Sequence, residues 1–308
     1  MKGNNSRDCN LLNWKLGIFP QYIIYHFNDL KVRNDIINKE LKNYKKTDKI
    51  LYFGTINIRK NNKDEMILVS DYDINSWKKV MSKDNLKKIE NQNFNEFIEL
   101  NKKIFQEKKT IFTVCYHYNT VNVHYVSFVY DPKEKELISF DPGVDVYPEG
   151  QKEIVPALTK AFRKAKLLKK TEELGKTCNK HRYLFRNEPI GIQYNSKTKD
   201  AFCQSWTLYF LLQQIRQKNI VRKVCRIHPA NREIFLFKEF IIPILEKNKK
   251  YIEDICKKIL YNEFEIYDKD SILNDLILYS KTCKSKICNK KLDKKKRKNI
   301  TCEINSLK

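Results

Sequence analysis

Residues 202–217 read FCQSWTLYFLLQQIRQ, which is long enough for about four helical turns and apolar on nearly every side. A helix of that kind has no face to give to water, so other layers of the fold must enclose it. The chain supplies them upstream. Ile111–Tyr116 and Val121–Tyr130 are rich in β-branched and aromatic residues and are separated by a turn-like YNT segment, which predicts an antiparallel pair. A third strand is expected at Glu136–Phe140, after the charged, proline-bearing connection DPKEKE. Ile154–Leu168 places apolar residues at 154, 155, 158, 162, 165 and 168, one stripe at helical spacing with Lys and Arg opposite, and should cover the sheet. The expected architecture is α+β: a small, mostly antiparallel sheet packed on the buried helix, with helical additions at both ends.

Around this core the chain divides into an N-terminal extension (1–100), a core (101–225), a helical region (226–281) and a Lys-rich tail (282–308). In the extension, Ile50–Ile58 alternates as a strand, with Ile50, Tyr52, Ile56 and Ile58 expected on one face and Leu51, Phe53 and Thr55 on the other. His26 lies in an apolar run and reads as a packed structural imidazole. Nothing in residues 1–100 reads as catalytic.

With 41% hydrophobic residues in 308, the chain has enough apolar material for a sizeable core despite 32% charged residues. The run 235–245 is interrupted by Lys238, Glu239 and Pro243, and no stretch reaches the roughly 18 apolar residues of a membrane span. The first residues lack the pattern of a secretory signal, and nine cysteines without regular spacing do not form a disulfide framework. An intracellular, reducing compartment is expected, with most thiols free. The net charge of +24 fits a polyanionic partner, and nonspecific nucleic-acid contact through a basic surface is one reading. Fifty of the 61 basic residues are Lys, however, and A/T-rich coding produces the same bias without any binding function.

Cys203 opens the buried helix behind Asp200, a good N-cap, so its sulfur is expected where unsatisfied N–H groups and the helix dipole favour negative charge. A thiol attacks a carbonyl as thiolate and needs a base to take its proton. His124 in VHYVSFVY and Asp141 in LISFDPG are spaced to meet at a common edge of neighbouring antiparallel strands. The carboxylate would then fix the imidazole tautomer. Asp131 is a rival for that role but belongs to the far end of the strand. Gln193, which ends IGIQ, and the Cys203 backbone N–H are the expected oxyanion donors.

The segments HYVSFV, FDPG, IGIQYN and DAFCQSW, in that order, resemble the adenovirus-type and ubiquitin-like-protein-specific cysteine proteases over roughly residues 111–216. The FCQSW phrase and the Lys/Asn/Ile bias look most like members from large DNA viruses, of the African swine fever virus protease type. The resemblance implies an adenain-like fold and a triad of His124 as base, Asp141 as orienting acid and Cys203 as nucleophile. It further implies Gln193 at the oxyanion, with Tyr125 in the place of an aromatic neighbour and Asn195 and Asp200 echoing the family's motif. Its expected substrates are proteins, either viral structural polyproteins cut after small residues such as glycine or conjugates of a ubiquitin-like modifier, in host cytoplasm or virion. No cofactor or metal is implied. A third reading is a basic, non-enzymatic binding protein on the same fold. Two departures stand out: Gln193 is ten positions before Cys203, and Gln204 rather than Gly follows the nucleophile, which makes Gln204 an alternative oxyanion donor.

Other groupings are less complete. Cys115 and His117 face one side of a strand but lack an acid. Cys178 with His181 and Cys225 with His228 make a zinc set on paper, and Cys283, Cys288 and Cys302 lack a fourth ligand.

Overall fold

The computed structural model describes residues 26–27, 29–44, 50–69, 91–118, 123–143, 150–175, 191–193, 202–218, 223–224, 227, 229–248, 250–251 and 253–255. Within them the fold is α+β, one sheet between two helical layers. The sheet is built from β1 (Ile50–Lys60), β2 (Met66–Leu68), β3 (Lys109–His117), β4 (Val123–Asp131), β5 (Glu136–Phe140) and β6 (Lys170–Leu174), in the spatial order β2-β1-β3-β4-β5-β6.

The expectation of a mostly antiparallel sheet needs correction, because the sheet is mixed. β1/β2, β3/β4 and β4/β5 pair antiparallel, whereas β1/β3 and β5/β6 pair parallel. The cause lies in the connections. Helices α2 (Phe94–Leu100) and α3 (Lys102–Glu107) return the chain to the start of β3, and α4 (Val155–Lys164) does the same between β5 and β6. A crossover of that kind delivers the next strand in parallel. The N-terminal strand β1 thus sits inside the sheet against β3.

β1 also departs from simple alternation. Its pairing with β3 slips between Tyr52 and Gly54, where Gly54 takes a left-handed φ of 93°. The bulge inverts the faces beyond it. Ile50 and Tyr52 therefore face one layer, while Phe53, Ile56 and Ile58 share the other, so Ile50, Tyr52, Ile56 and Ile58 are not on one face as alternation predicted.

One layer holds α1 (Leu30–Asn43), α5 (Cys203–Ile215), α6 (Pro229–Leu236), a π-helical turn at Phe237–Ile241 and α7 (Ile242–Lys247). The opposite layer holds α2, α3 and α4, packed on Phe53, Phe112, Phe128 and Tyr130. α5 is the helix read from the sequence, slightly shorter, and all its residues but Gln214 are buried. Ser127 of β4 donates to the Thr207 carbonyl (3.4 Å), which ties α5 to the sheet. α4 starts at Val155 after a π-helical turn (Gly150–Ile154); of the predicted stripe Ile154, Val155, Leu158, Phe162 and Ala165 are buried and Leu168 is partly buried, with Ala161 buried beside them. No helix among the described residues is long and apolar enough to cross a membrane.

Candidate active site

β4 and β5 run antiparallel with Ser127 opposite Phe140, which brings His124, near the start of β4, and Asp141, just past β5, to the same end of the sheet. The two side chains meet. His124 Nε2 lies 2.9 Å from Asp141 Oδ1, and both are fully buried. A carboxylate accepts, so the proton sits on Nε2 and Nδ1 is the nitrogen left for chemistry. The Gly143 N–H donates to the same carboxylate oxygen at 2.9 Å, and the Asp141 N–H donates to the Leu174 carbonyl, so the acid is held from both sides. Asp131, the rival acid, stands at the far end of β4 facing Lys109 (3.8 Å).

Cys203 is near enough to influence the same imidazole electrostatically. Burial, the largest single influence on His124, pushes its pKa down, but the charge and hydrogen bond of Asp141 and the hydrogen bond and charge of Cys203 together lift it to about 10. His124 thus favours the imidazolium when a thiolate stands beside it. The first bond within α5 runs from Trp206 N–H to the Phe202 carbonyl (2.9 Å), so the N–H groups of Cys203, Gln204 and Ser205 have no acceptor inside the helix. The N-cap is Phe202, with no side-chain cap, and not the expected Asp200. Cys203 packs with Cys115 and Tyr125 in a small apolar pocket and is 5% exposed.

Gln193 is buried one loop away. Its N–H donates to the Pro142 carbonyl at 2.7 Å and the Ile192 N–H to Gly175, so the residue rests on the Asp141-Pro142-Gly143 turn. Of the predicted strand at 190–193, the described residues 191–193 form a single bridge at Gly191 followed by a turn. Gln204, also buried, has its Oε1 3.6 Å from the Cys203 sulfur. Cys115 Sγ is 3.6 Å from His117 Nε2, which in turn bonds Asn57 Oδ1 at 3.0 Å. Burial raises the Cys115 pKa to about 12, leaving it a poor nucleophile at neutral pH.

Three residues essential to this geometry were not picked out from sequence. Arg33 of α1 is fully buried, donates to the Gln204 carbonyl (2.8 Å) and the Phe27 carbonyl (3.3 Å), and lies 4.8 Å from the Tyr125 ring centre. Its one sequence signal is an arginine one turn before Ile37 on the buried stripe of α1. Gly150 presses on the dyad: a Cβ there would overlap Asp141 Oδ2 and stand 3.1 Å from His124 Nε2. Arg232, buried in α6, donates to the Gly191 and Ile192 carbonyls (3.2 and 3.3 Å) and so braces the segment leading to Gln193. Asn195, Asp200, the Cys178/His181 and Cys225/His228 pairs, Cys283, Cys288 and Cys302 lie outside the described residues.

The fold and site together define an α+β domain carrying a buried Asp–His dyad whose imidazole feels the charge of a cysteine at a helix N-terminus. No protein-family model matches the chain, and no curated protein matches it. Two crystal structures of the Legionella pneumophila effector protein RavZ align with 84% of this chain and 74% of theirs. They do so at 13% and 15% identity and TM-scores of 0.27 and 0.26, a likeness too low to carry an argument.

Proposed function

We propose that this chain is a cysteine peptidase in which Cys203 is the nucleophile, His124 its base and Asp141 the group that orients the base. The observation that carries the reading is the buried 2.9 Å contact between His124 Nε2 and Asp141 Oδ1 on an imidazole that also interacts with Cys203. In the reaction, Nδ1 takes the Cys203 proton, giving the thiolate–imidazolium pair that the raised His124 pKa favours, and the thiolate adds to a peptide carbonyl. The resulting oxyanion is met by the Gln193 amide and the Cys203 N–H; His124 then returns the proton to the leaving amine, and water releases the acyl group. The 5% exposure of Cys203 favours a thin, extended substrate segment, which supports cleavage after glycine or another small residue. Viral structural polyproteins are the proposed substrates, on the strength of the sequence resemblance. Conjugates of ubiquitin-like modifiers are the alternative outcome.

The test begins with iodoacetamide labelling resolved by mass spectrometry. Cys203 should react far faster than the other eight cysteines, and His124→Ala should remove that advantage. Equal labelling of all nine would leave a basic binding protein as the surviving reading. Turnover of Gly-Gly peptides against modifier-linked probes then separates the substrate classes, with Cys203→Ser inactive on both.

A further inference from the structure

The carboxamide of Gln204 is enclosed directly beside the sulfur. Its Oε1 accepts from the Cys203 S–H at 3.6 Å, while its Nε2 is buried without a hydrogen-bond partner among the described residues. Burying an amide N–H unpaired costs stability, so a buried donor left waiting beside a nucleophile calls for an explanation. The backbone of the same residue is anchored: its carbonyl accepts from Arg33 Nη1 at 2.8 Å and from Thr207 Oγ1 at 3.0 Å. Arg33 forms no ion pair with a carboxylate among the described residues, and its cation rests on Tyr125, which shares the Cys203 pocket. The main chain cannot shift, whereas the side-chain amide can turn over within nearly the same volume, because its oxygen and nitrogen are almost equal in size.

We infer that Gln204 is a catalytic residue that holds the Cys203 sulfur in both protonation states, its Oε1 accepting from the thiol and its Nε2–H donating to the thiolate. The inference rests on the peptidase reading and adds a role distinct from oxyanion binding. When the S–H bond breaks, the proton passes to His124 Nδ1 and the electron pair stays on sulfur. The amide turns over, and the orphaned N–H meets the new charge. A hydrogen bond to a charged acceptor is stronger than one to a neutral group, so the exchange favours ionisation. No redox partner or further reactant is involved.

The experiment compares the rate constant for iodoacetamide alkylation of Cys203 at pH 7 in wild type, Gln204→Met, which keeps the volume without the donor, and Gln204→Glu, which keeps the shape and, when ionised, only accepts. Both variants should slow alkylation by about tenfold or more and lower the ultraviolet thiolate absorbance, with Gln204→Glu the slower of the two. Circular dichroism melts establish that each is folded, and either variant suffices if the other is not. A folded variant that alkylates at the wild-type rate overturns the role of Gln204 while leaving the nucleophile in place. A wild-type Cys203 that labels no faster than Cys115 overturns the peptidase reading and this role with it.

Discussion

Gly150 occupies a place where even one methyl group is too many. Its missing Cβ is what lets the turn before α4 lie against Asp141 Oδ2 and His124 Nε2, and Asp141 has no room to retreat because Gly143 and Leu174 hold it. Gly150→Ala should therefore displace the dyad and cut turnover by about a hundredfold or more. Peptide hydrolysis, together with the imidazole proton resonance, would show it. Arg33→Met removes a buried donor from the Phe27 carbonyl and leaves the Gln204 carbonyl with Thr207 Oγ1 as its side-chain donor, and is expected to cost about 2 kcal/mol in urea denaturation. His124, Asp141 and Cys203 were legible as candidates because their residue types suit one reaction and the strand pattern brings two of them to one edge. Arg33 was not legible, since its role depends on contacts with residues as remote in sequence as Gln204.

At the scale of elements, α5 carries the most weight. Leu208 is fully buried at its centre, and Leu208→Ala should destabilise by about 3 kcal/mol through lost burial and the remaining cavity. The Arg216–Glu40 pair, bidentate at 2.6 and 2.7 Å, ties the end of α5 to α1 but remains partly exposed. Glu40→Gln should cost no more than about 1 kcal/mol, measured in the same way. The central strands were readable from their β-branched and aromatic content, since β3 and β4 are buried on both faces, and α4 from a stripe at helical spacing. β1 was misread beyond Gly54, since a bulge adds one residue without any change in the residue pattern, and only pairing with β3 exposes it.

For the molecule as a whole, His124 makes stability respond to base. His124 has a folded pKa raised from 6.5 to about 10, so its contribution is complete below about 6.5 and is lost as pH rises through about 10. Unfolding free energy should therefore fall between pH 7 and 10, and fall less in Asp141→Asn, a comparison accessible to urea titration. In the acid direction, the hydrogen bond from Arg216, opposed by burial, lowers the Glu40 pKa; that contribution is present above the ordinary carboxylate value and is lost as pH falls through the lowered one. The linear chain already specified the all-apolar helix, the β-branched and aromatic central strands and the side chains fit for thiol chemistry, because local patterns of polarity and residue type carry that information. Whether β1 runs parallel to β3 and β6 to β5 depends on where connecting helices dock, and the meeting of Arg33, Gln204, Gly150 and the dyad depends on packing between distant segments. Such contacts arise from the shape of the closed core and leave no periodic trace along the backbone.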